Sequence, residues 1–344
     1  MKRISALSLF CVVALALLST SAGAVTYQIH QLSTGTAGPL GTSWATAINN
    51  SGCVAGAVYE EDVCHAALGN SAGLLTLLDE GFALGINSSG FAVGNAGGAA
   101  VWDPVGGLSH LPVPTGGTFS QAFSINDSGV AVGECWLGIN QVGNYITIWH
   151  GSDEPILLGM GCAVAVNAAG NVVGFTKGAG GKHEAFVWSP TAGMTSLASG
   201  LSSEANAINN YGVVAGTVCD GYGTWACTWS PSGALTRLAN LPGAISSTAY
   251  GINAAGAVVG SCDTAEGTYA VVWQPDGSIV QLSWLPGDVG GVAYGINDFG
   301  QIAGCSLDSG YNPRAVVWNL VPEPASVLAV LVGIAAVLPR LRRR

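Results

Sequence analysis

The chain has 344 residues; 49% are hydrophobic, only 9% are charged, 51 are glycine, and the formal net charge is −10. So much apolar content excludes a disordered acidic chain, and abundant glycine with little charge points to a turn-dense β-rich fold. Between the ends only Lys177, Lys182, Arg237 and Arg314 are basic, against all of the 20 acids except Glu323, so the phosphate backbone of a nucleic acid is a poor partner.

The chain opens Met1-Lys2-Arg3, runs apolar over residues 4–18 and reaches Ser21-Ala22-Gly23-Ala24. A basic start, a short apolar stretch and an A-x-A site predict a secretory signal peptide over 1–24, cleaved to leave Val25 first. Residues 27–32, YQIHQL, predict a short strand that stands ahead of everything that follows.

Next come seven copies of one pattern, from AINNSGCVAG at Ala47 to GINDFGQIAG at Gly295. Their shared asparagines are Asn49, Asn87, Asn126, Asn167, Asn209, Asn253 and Asn297. Each copy has a short strand ending in Ile-Asn or Val-Asn, two linking residues and a Gly, and then a second strand ending in Gly. A variable loop leads to a third strand that usually ends in Trp, as at Trp102, Trp149, Trp188, Trp229, Trp273 and Trp318. A Pro- or Gly-bearing turn then leads to a fourth apolar run such as LTRL or IVQL. Short runs rich in Val, Ile and aromatics between Gly, Asn and Pro read as strands. Four strands in about 40 residues is the proportion of a β-propeller blade. The expectation is therefore an all-β, seven-bladed β-propeller over 25–320, with an open β-solenoid as the alternative. The seventh copy lacks a fourth strand, and residues 27–32 match the missing pattern. That strand would close the ring and remove an exposed sheet edge.

The repeating asparagines read as turn chemistry, since Asn bonds nearby backbone and the following Gly accepts positive φ. The strand-end tryptophans read as packing between blades. The second-to-third-strand loops break the repetition, and function tends to sit on such loops. They carry Trp136, then Asp220, Tyr222 and Trp225, then Asp263, Glu266 and Tyr269, then Asp308 and Tyr311. Aromatics mixed with carboxylates suit a neutral sugar, or Ca²⁺ held by oxygen ligands. The candidate ligand-binding set is Trp136, Asp220, Tyr222, Trp225, Asp263 and Asp308.

Of nine cysteines, Cys11 leaves with the signal, and eight remain in an oxidising place. The expected disulfides are Cys53–Cys64 and Cys219–Cys227 within blades, and Cys135–Cys162 and Cys262–Cys305 between blades. No C-x-x-C pair or zinc-like spacing occurs. H-E-x-x-H and the P-loop pattern are absent, and five histidines are scattered. No catalytic residue is assigned and no cofactor is expected, Ca²⁺ being the one ion considered.

The chain ends VPEPASVLAVLVGIAAVLPRLRRR over 321–344. Its uncharged stretch, 325–338, is short of the roughly 20 residues a spanning helix wants. The arginines after it tend to stay cytoplasmic. The tail resembles a PEP-CTERM sorting signal in all three parts and in their order. That resemblance implies a sorting helix, recognition of Pro322-Glu323-Pro324 by an exosortase-type protease, and transient residence in the inner membrane of a Gram-negative bacterium that makes exopolysaccharide. The repeats resemble the HAF repeat of extracellular bacterial proteins, with HEAFVW at His183 and HAAL at His65 as the nearest matches. The resulting expectation is an exported, non-catalytic structural or adhesive propeller of the cell envelope, surface or exopolysaccharide matrix of a biofilm. The alternative is an extracellular carbohydrate-active hydrolase or lyase.

Overall fold

The computed structural model describes residues 25–34, 41–138, 143–197 and 200–321. The signal peptide expected over 1–24 and the sorting motif Pro322, Glu323 and Pro324 lie outside them. Among the described residues no helix is long and apolar enough to cross a membrane, and the one helical segment is the 3-10 turn Ala179–Gly181. The strands described below belong to one compact unit, Tyr27–Leu320.

Strand β1 is Thr26–Gln31. The first repeat is β2 Ser43–Ile48, β3 Val54–Glu60, β4 Val63–Gly69 and β5 Leu75–Glu80. The second is β6 Phe82–Ile86, β7 Ala92–Asn95, β8 Ala99–Trp102 and β9 Leu108–His110. The third and fourth run through β10 Gly117–Ile125, β11 Val130–Leu137, β12 Gly143–His150, β13 Ile156–Val166, β14 Val172–Lys177, β15 His183–Ser189 and β16 Gly193–Ser196. The fifth is β17 Ser202–Ile208, β18 Val214–Cys219, β19 Thr224–Trp229 and β20 Leu235–Arg237. The sixth is β21 Ala244–Ile252, β22 Val258–Thr264, β23 Gly267–Trp273 and β24 Ile279–Gln281. The seventh is β25 Gly290–Ile296, β26 Ile302–Leu307 and β27 Pro313–Val321.

Each repeat is an antiparallel meander, and five sheets contain four strands. One sheet contains seven strands, β10 to β16, because β13 serves two repeats. Its first half pairs with β12 and its second half with β14. Between the halves Gly159 and Gly161 have φ of 127° and 145°, a bend that only glycine accepts without strain. The last sheet has the order β1-β27-β26-β25, so the N-terminal strand supplies the fourth strand of the seventh repeat.

The repeating motif has one physical explanation throughout. Each innermost strand carries a β-bulge three residues before its asparagine, at Thr46, Leu84, Phe123, Val164, Asn206, Tyr250 and Tyr294. A bulge bends its strand and sharpens the local twist. The residue before it is always a fully buried alanine, opposite the glycine that ends the repeat motif, as in Ala205 facing Gly216. A Cβ on Gly216 would stand 2.0 Å from the Glu204 carbonyl oxygen. The same clash recurs at Gly56, Gly94, Gly133, Gly174, Gly260 and Gly304. The bulge therefore dictates both the small residue and the glycine.

Tryptophans 102, 149, 229, 273 and 318 are the largest fully or almost fully buried side chains, and Trp188 is half-buried. Three of them tie consecutive repeats. Trp149 Nε1 donates to the Pro112 carbonyl, Trp273 Nε1 to that of Ala239 and Trp318 Nε1 to that of Ser283. The first repeat has Gly69 where the others have Trp. There the buried Leu32 joins a core formed with Val54, Val58, Leu75, Ala303 and Val317.

The cysteine expectation needs correction: all eight described thiols are free. Register explains two of the four pairs. Cys64 stands opposite Tyr59, whereas Cys53 precedes Val54 at the far end of β3. Cys227 stands opposite Gly216, three positions along β18 from Cys219. Both separations exceed the roughly 4.4–6.8 Å between Cα atoms that a disulfide spans. Cys135–Cys162 and Cys262–Cys305 are also unpaired, and these four cysteines are buried on separate strands. Burial pushes the Cys135 and Cys305 thiols up to about 11 and Cys227 up to about 12, which leaves them unreactive near neutral pH.

Candidate functional site

The two ends of the strands differ. At one end lie the asparagine turns. Each asparagine Oδ1 accepts the amide four residues on, and in six of the seven also the amide two residues on. The glycine three residues on has φ between 77° and 86° in every repeat and donates its amide back to the asparagine carbonyl. The expected turn role holds, and a second role accompanies it. Each Nδ2 donates to the carbonyl of the next repeat's asparagine at 2.9–3.2 Å, from Asn49 to Asn87 and onward to Asn297. Asn297 donates to Asn49, and the series returns to its start. These side chains are 3–6% exposed. They floor a polar depression of about 260 Å³ whose lining includes Asn50, Ser88, Asp127, Asn210 and Asp298. Most of that lining is already engaged. Asp298 accepts from Ala254 N and Asn50 Nδ2, Asp127 from Ser88 N, and Asn210 from Ala168 N.

The variable loops lie at the other end of the strands, and the structure does not gather the six candidate residues there. Asp220 accepts from the amides of Tyr222 and Gly223 and pairs with Arg237 at 2.7 Å. The Arg237 hydrogen bond, aided by those amides, holds the Asp220 carboxyl down at about 2. Asp308 accepts from the amides of Gly310 and Asn312, and the Asn312 bonds lower its pKa. Asp263 accepts from the hydroxyls of Ser246 and Thr268. All three carboxylates shape their own loops. The Trp225 indole lies against Gly223, Trp136 is exposed on β11, and Tyr222 is 94% exposed. The six residues fall in the third, fifth, sixth and seventh repeats. Their one mutual hydrogen bond is that of the Tyr222 amide to Asp220. Among the described residues no group of three or more His, Cys, Asp or Glu is placed to hold a metal ion.

A concave site at this end does exist, one repeat further on. A cleft of about 420 Å³ is lined by Leu241, Pro242 and Gly243 from the β20–β21 connection, Thr264 and Glu266 from the β22–β23 turn, and Tyr269, Gln281 and Trp284. The rings of Tyr269 and Trp284 are 5.6 Å apart and tilted by 38°. The Thr264 hydroxyl accepts the Glu266 amide, which sets the turn. The Glu266 carboxylate and the Gln281 amide have no partner among the described residues. Sequence reasoning placed Glu266 and Tyr269 on a functional loop but missed Trp284 and Gln281. Its available signal was position: Trp284 lies neither at a strand end nor in a second-to-third-strand loop.

A second polar constellation bridges the fourth and fifth repeats. His183 Nδ1 lies 2.6 Å from Glu204 Oε1, and its ring stacks on Phe175 with centroids 4.1 Å apart.

No family model and no curated protein matches the chain. Solved structures do. A streptogramin B lyase matches with TM-score 0.57 and 11% identity over 88% of this chain and 100% of its own. The oligogalacturonate lyase of Vibrio parahaemolyticus matches with TM-score 0.56 and 13% identity over 88% and 99%. The β-propeller domain of the Trilobed protease from Pyrococcus furiosus matches with TM-score 0.53 and 14% identity over 70% and 84%. The fold is a β-propeller. At these identities the likeness extends to the propeller architecture alone.

Proposed function

We propose that this propeller has seven blades closed by its N-terminal strand, and that it is an exported, non-catalytic adhesive or structural module of the exopolysaccharide matrix. Closure is supported by the return of the asparagine series from Asn297 to Asn49 and by the place of β1 beside β27. Glycan binding is carried by one observation, the Tyr269–Trp284 cleft with its unengaged polar groups. Clefts that mix aromatic walls with a few convergent polar groups are the usual form of small-molecule sites. The exposed Trp136 and Tyr222 extend the same end of the molecule. Delivery rests on the two terminal segments: a Gram-negative exporter removes 1–24, and an exosortase-type protease acts at Pro322-Glu323-Pro324 during transient residence in the inner membrane.

The test is retention on the producing organism's own exopolysaccharide, with Trp284→Ala as the paired variant. Retention of the parent and its loss in the variant, at equal melting temperature, supports the reading. Equal retention of the two proteins refutes it. In parallel, replacing Pro322-Glu323-Pro324 by alanines should leave export intact and block processing, read as the mass of the mature protein.

The runner-up reading, a carbohydrate-active hydrolase or lyase, draws on the His183–Glu204 pair, since a carboxylate that orients an imidazole can set up a general base. Turnover of polysaccharide that disappears in His183→Gln would establish it.

A further inference from the structure

The cleft contains a charge argument that narrows the sugar, on the premise that the glycan reading above is correct. Its one charged lining residue is Glu266, which is exposed and unpaired among the described residues. Among the described residues no Lys or Arg lines the cleft to balance an acidic ligand. Arg237 is engaged by Asp220 and Arg314 by the buried Asp288. Lys177 and Lys182 flank the 3-10 turn of the fourth repeat, two repeats away. A uronic acid entering the cleft would therefore meet an uncompensated carboxylate within an acidic body, whereas an ammonium group would meet a partner. The walls favour the same ligand. Cations are attracted to the faces of Trp and Tyr by the ring quadrupole, with contributions of about 0.5–2 kcal/mol. The tilted pair presents two such rings beside Glu266, and Gln281 supplies amide donors and an acceptor for hydroxyls.

We propose that this cleft is a subsite for glycans bearing free amino groups, a glucosamine polymer rather than a neutral or uronic one. The Tyr269 and Trp284 rings cover the sugar and its ammonium, Glu266 neutralises the charge, and Gln281 orients the hydroxyls.

Titration calorimetry on the intact protein tests this with four probes: the β-1,4 hexamer of glucosamine, the same hexamer N-acetylated, a galacturonate hexamer, and polylysine. The glucosamine hexamer should bind about tenfold more tightly than its acetylated form, and the galacturonate hexamer should not bind. Glu266→Gln, a nearly isosteric surface change, should weaken the glucosamine hexamer by about two- to fivefold, the scale of an exposed ion pair. It should also shrink the preference over the acetylated form without moving the melting temperature. Trp284→Ala should weaken both forms by about tenfold. Raising the pH until the amine is neutral should reproduce the Glu266→Gln result in the parent. Equal affinity for free and acetylated hexamers, or indifference to Glu266→Gln, overturns the amine assignment and leaves glycan binding standing. Failure of every glycan probe removes both. Polylysine binding as tight as the glucosamine hexamer overturns the sugar assignment in favour of a cationic polypeptide.

Discussion

The asparagine end and the variable-loop end of this propeller use the same residue types for opposite purposes. At the asparagine end polar side chains are buried and spend their hydrogen bonds on the backbone of their own repeat and of the next. At the variable end the carboxylates of Asp220 and Asp308 stabilise isolated loops, and Glu266 is left unengaged. Repetition thus marks the positions where one repeat depends on its neighbour. Departure from repetition marks side chains that serve only their own loop, as at Asp220 and Asp308, or that have no partner among the described residues, as at Glu266. Tryptophan follows the same division: Trp229 is completely buried, whereas Trp225, four residues earlier, is half-exposed beside Gly223.

The largest expected effect comes from removing residues 26–31. Without β1 the edge of β27 is bare and Leu32 loses its anchoring strand. Cooperative thermal unfolding and solubility should both disappear, and a truncated protein that melts like the parent would refute closure through this strand. The tryptophan pair comes next. Trp229→Ala should cost about 3–5 kcal/mol as a large-to-small core change, and Trp225→Ala clearly less, because its indole is only partly buried, both read by chemical denaturation. Equal losses would erase the division drawn above. Gly216→Ala should cost about 2–3 kcal/mol through overpacking against the Glu204 carbonyl, while Gly221→Ala tests only its left-handed turn, with φ of 88° and open space around it.

Asn209→Ala should cost about 1–3 kcal/mol, because it strands the amides of Tyr211 and Val213 and removes the bond to the Asn253 carbonyl, which keeps the Gly256 amide. Tyr211→Ala, at a side chain 71% exposed, should leave the melting temperature unchanged. The smallest effects are those of pH. Buried thiols have pKa values raised from 9.0 to about 11 and 12, so the folded state holds protons that the unfolded chain releases. Their contribution is complete below pH 9 and declines as the pH rises towards 12. Asp220 works in the other direction: its folded value of about 2 lies below 3.8, so its contribution is present above pH 4 and fades as the pH falls towards 2. Stability curves of Cys227→Ala and Asp220→Asn should be flatter than the parent's in those two windows respectively.

Much of the scaffold was legible in sequence because its constraints are local and repeated seven times. Ile-Asn-x-x-Gly encodes a turn whose partners lie within four residues, and the spare strand at 27–32 matched a vacancy in the pattern. The bond from each asparagine to the next repeat was not legible, since it joins residues about 40 positions apart through a backbone carbonyl that carries no sequence signal. The disulfides failed for a related reason. Cys53 and Cys64 are close along the chain, but the β3–β4 hairpin sends them to opposite ends of their strands. The cleft was half legible: its loop residues Glu266 and Tyr269 stood out. Trp284 and the 241–243 wall come from connections between repeats, which the pattern treats as linkers.

The arrangement of β1 and β27 also sets a direction. β27 starts at Pro313, next to the variable loop after Leu307, and heads for the asparagine end, where Trp318 faces Ile302. Leu32, just past β1, bonds Ala315 near the start of β27, so Tyr27 and Leu320 lie towards the asparagine end together. The first and last strands of the propeller thus meet at its uniform side, where the asparagine turns lie. The cleft and the variable loops lie at the opposite end of the same strands, clear of both.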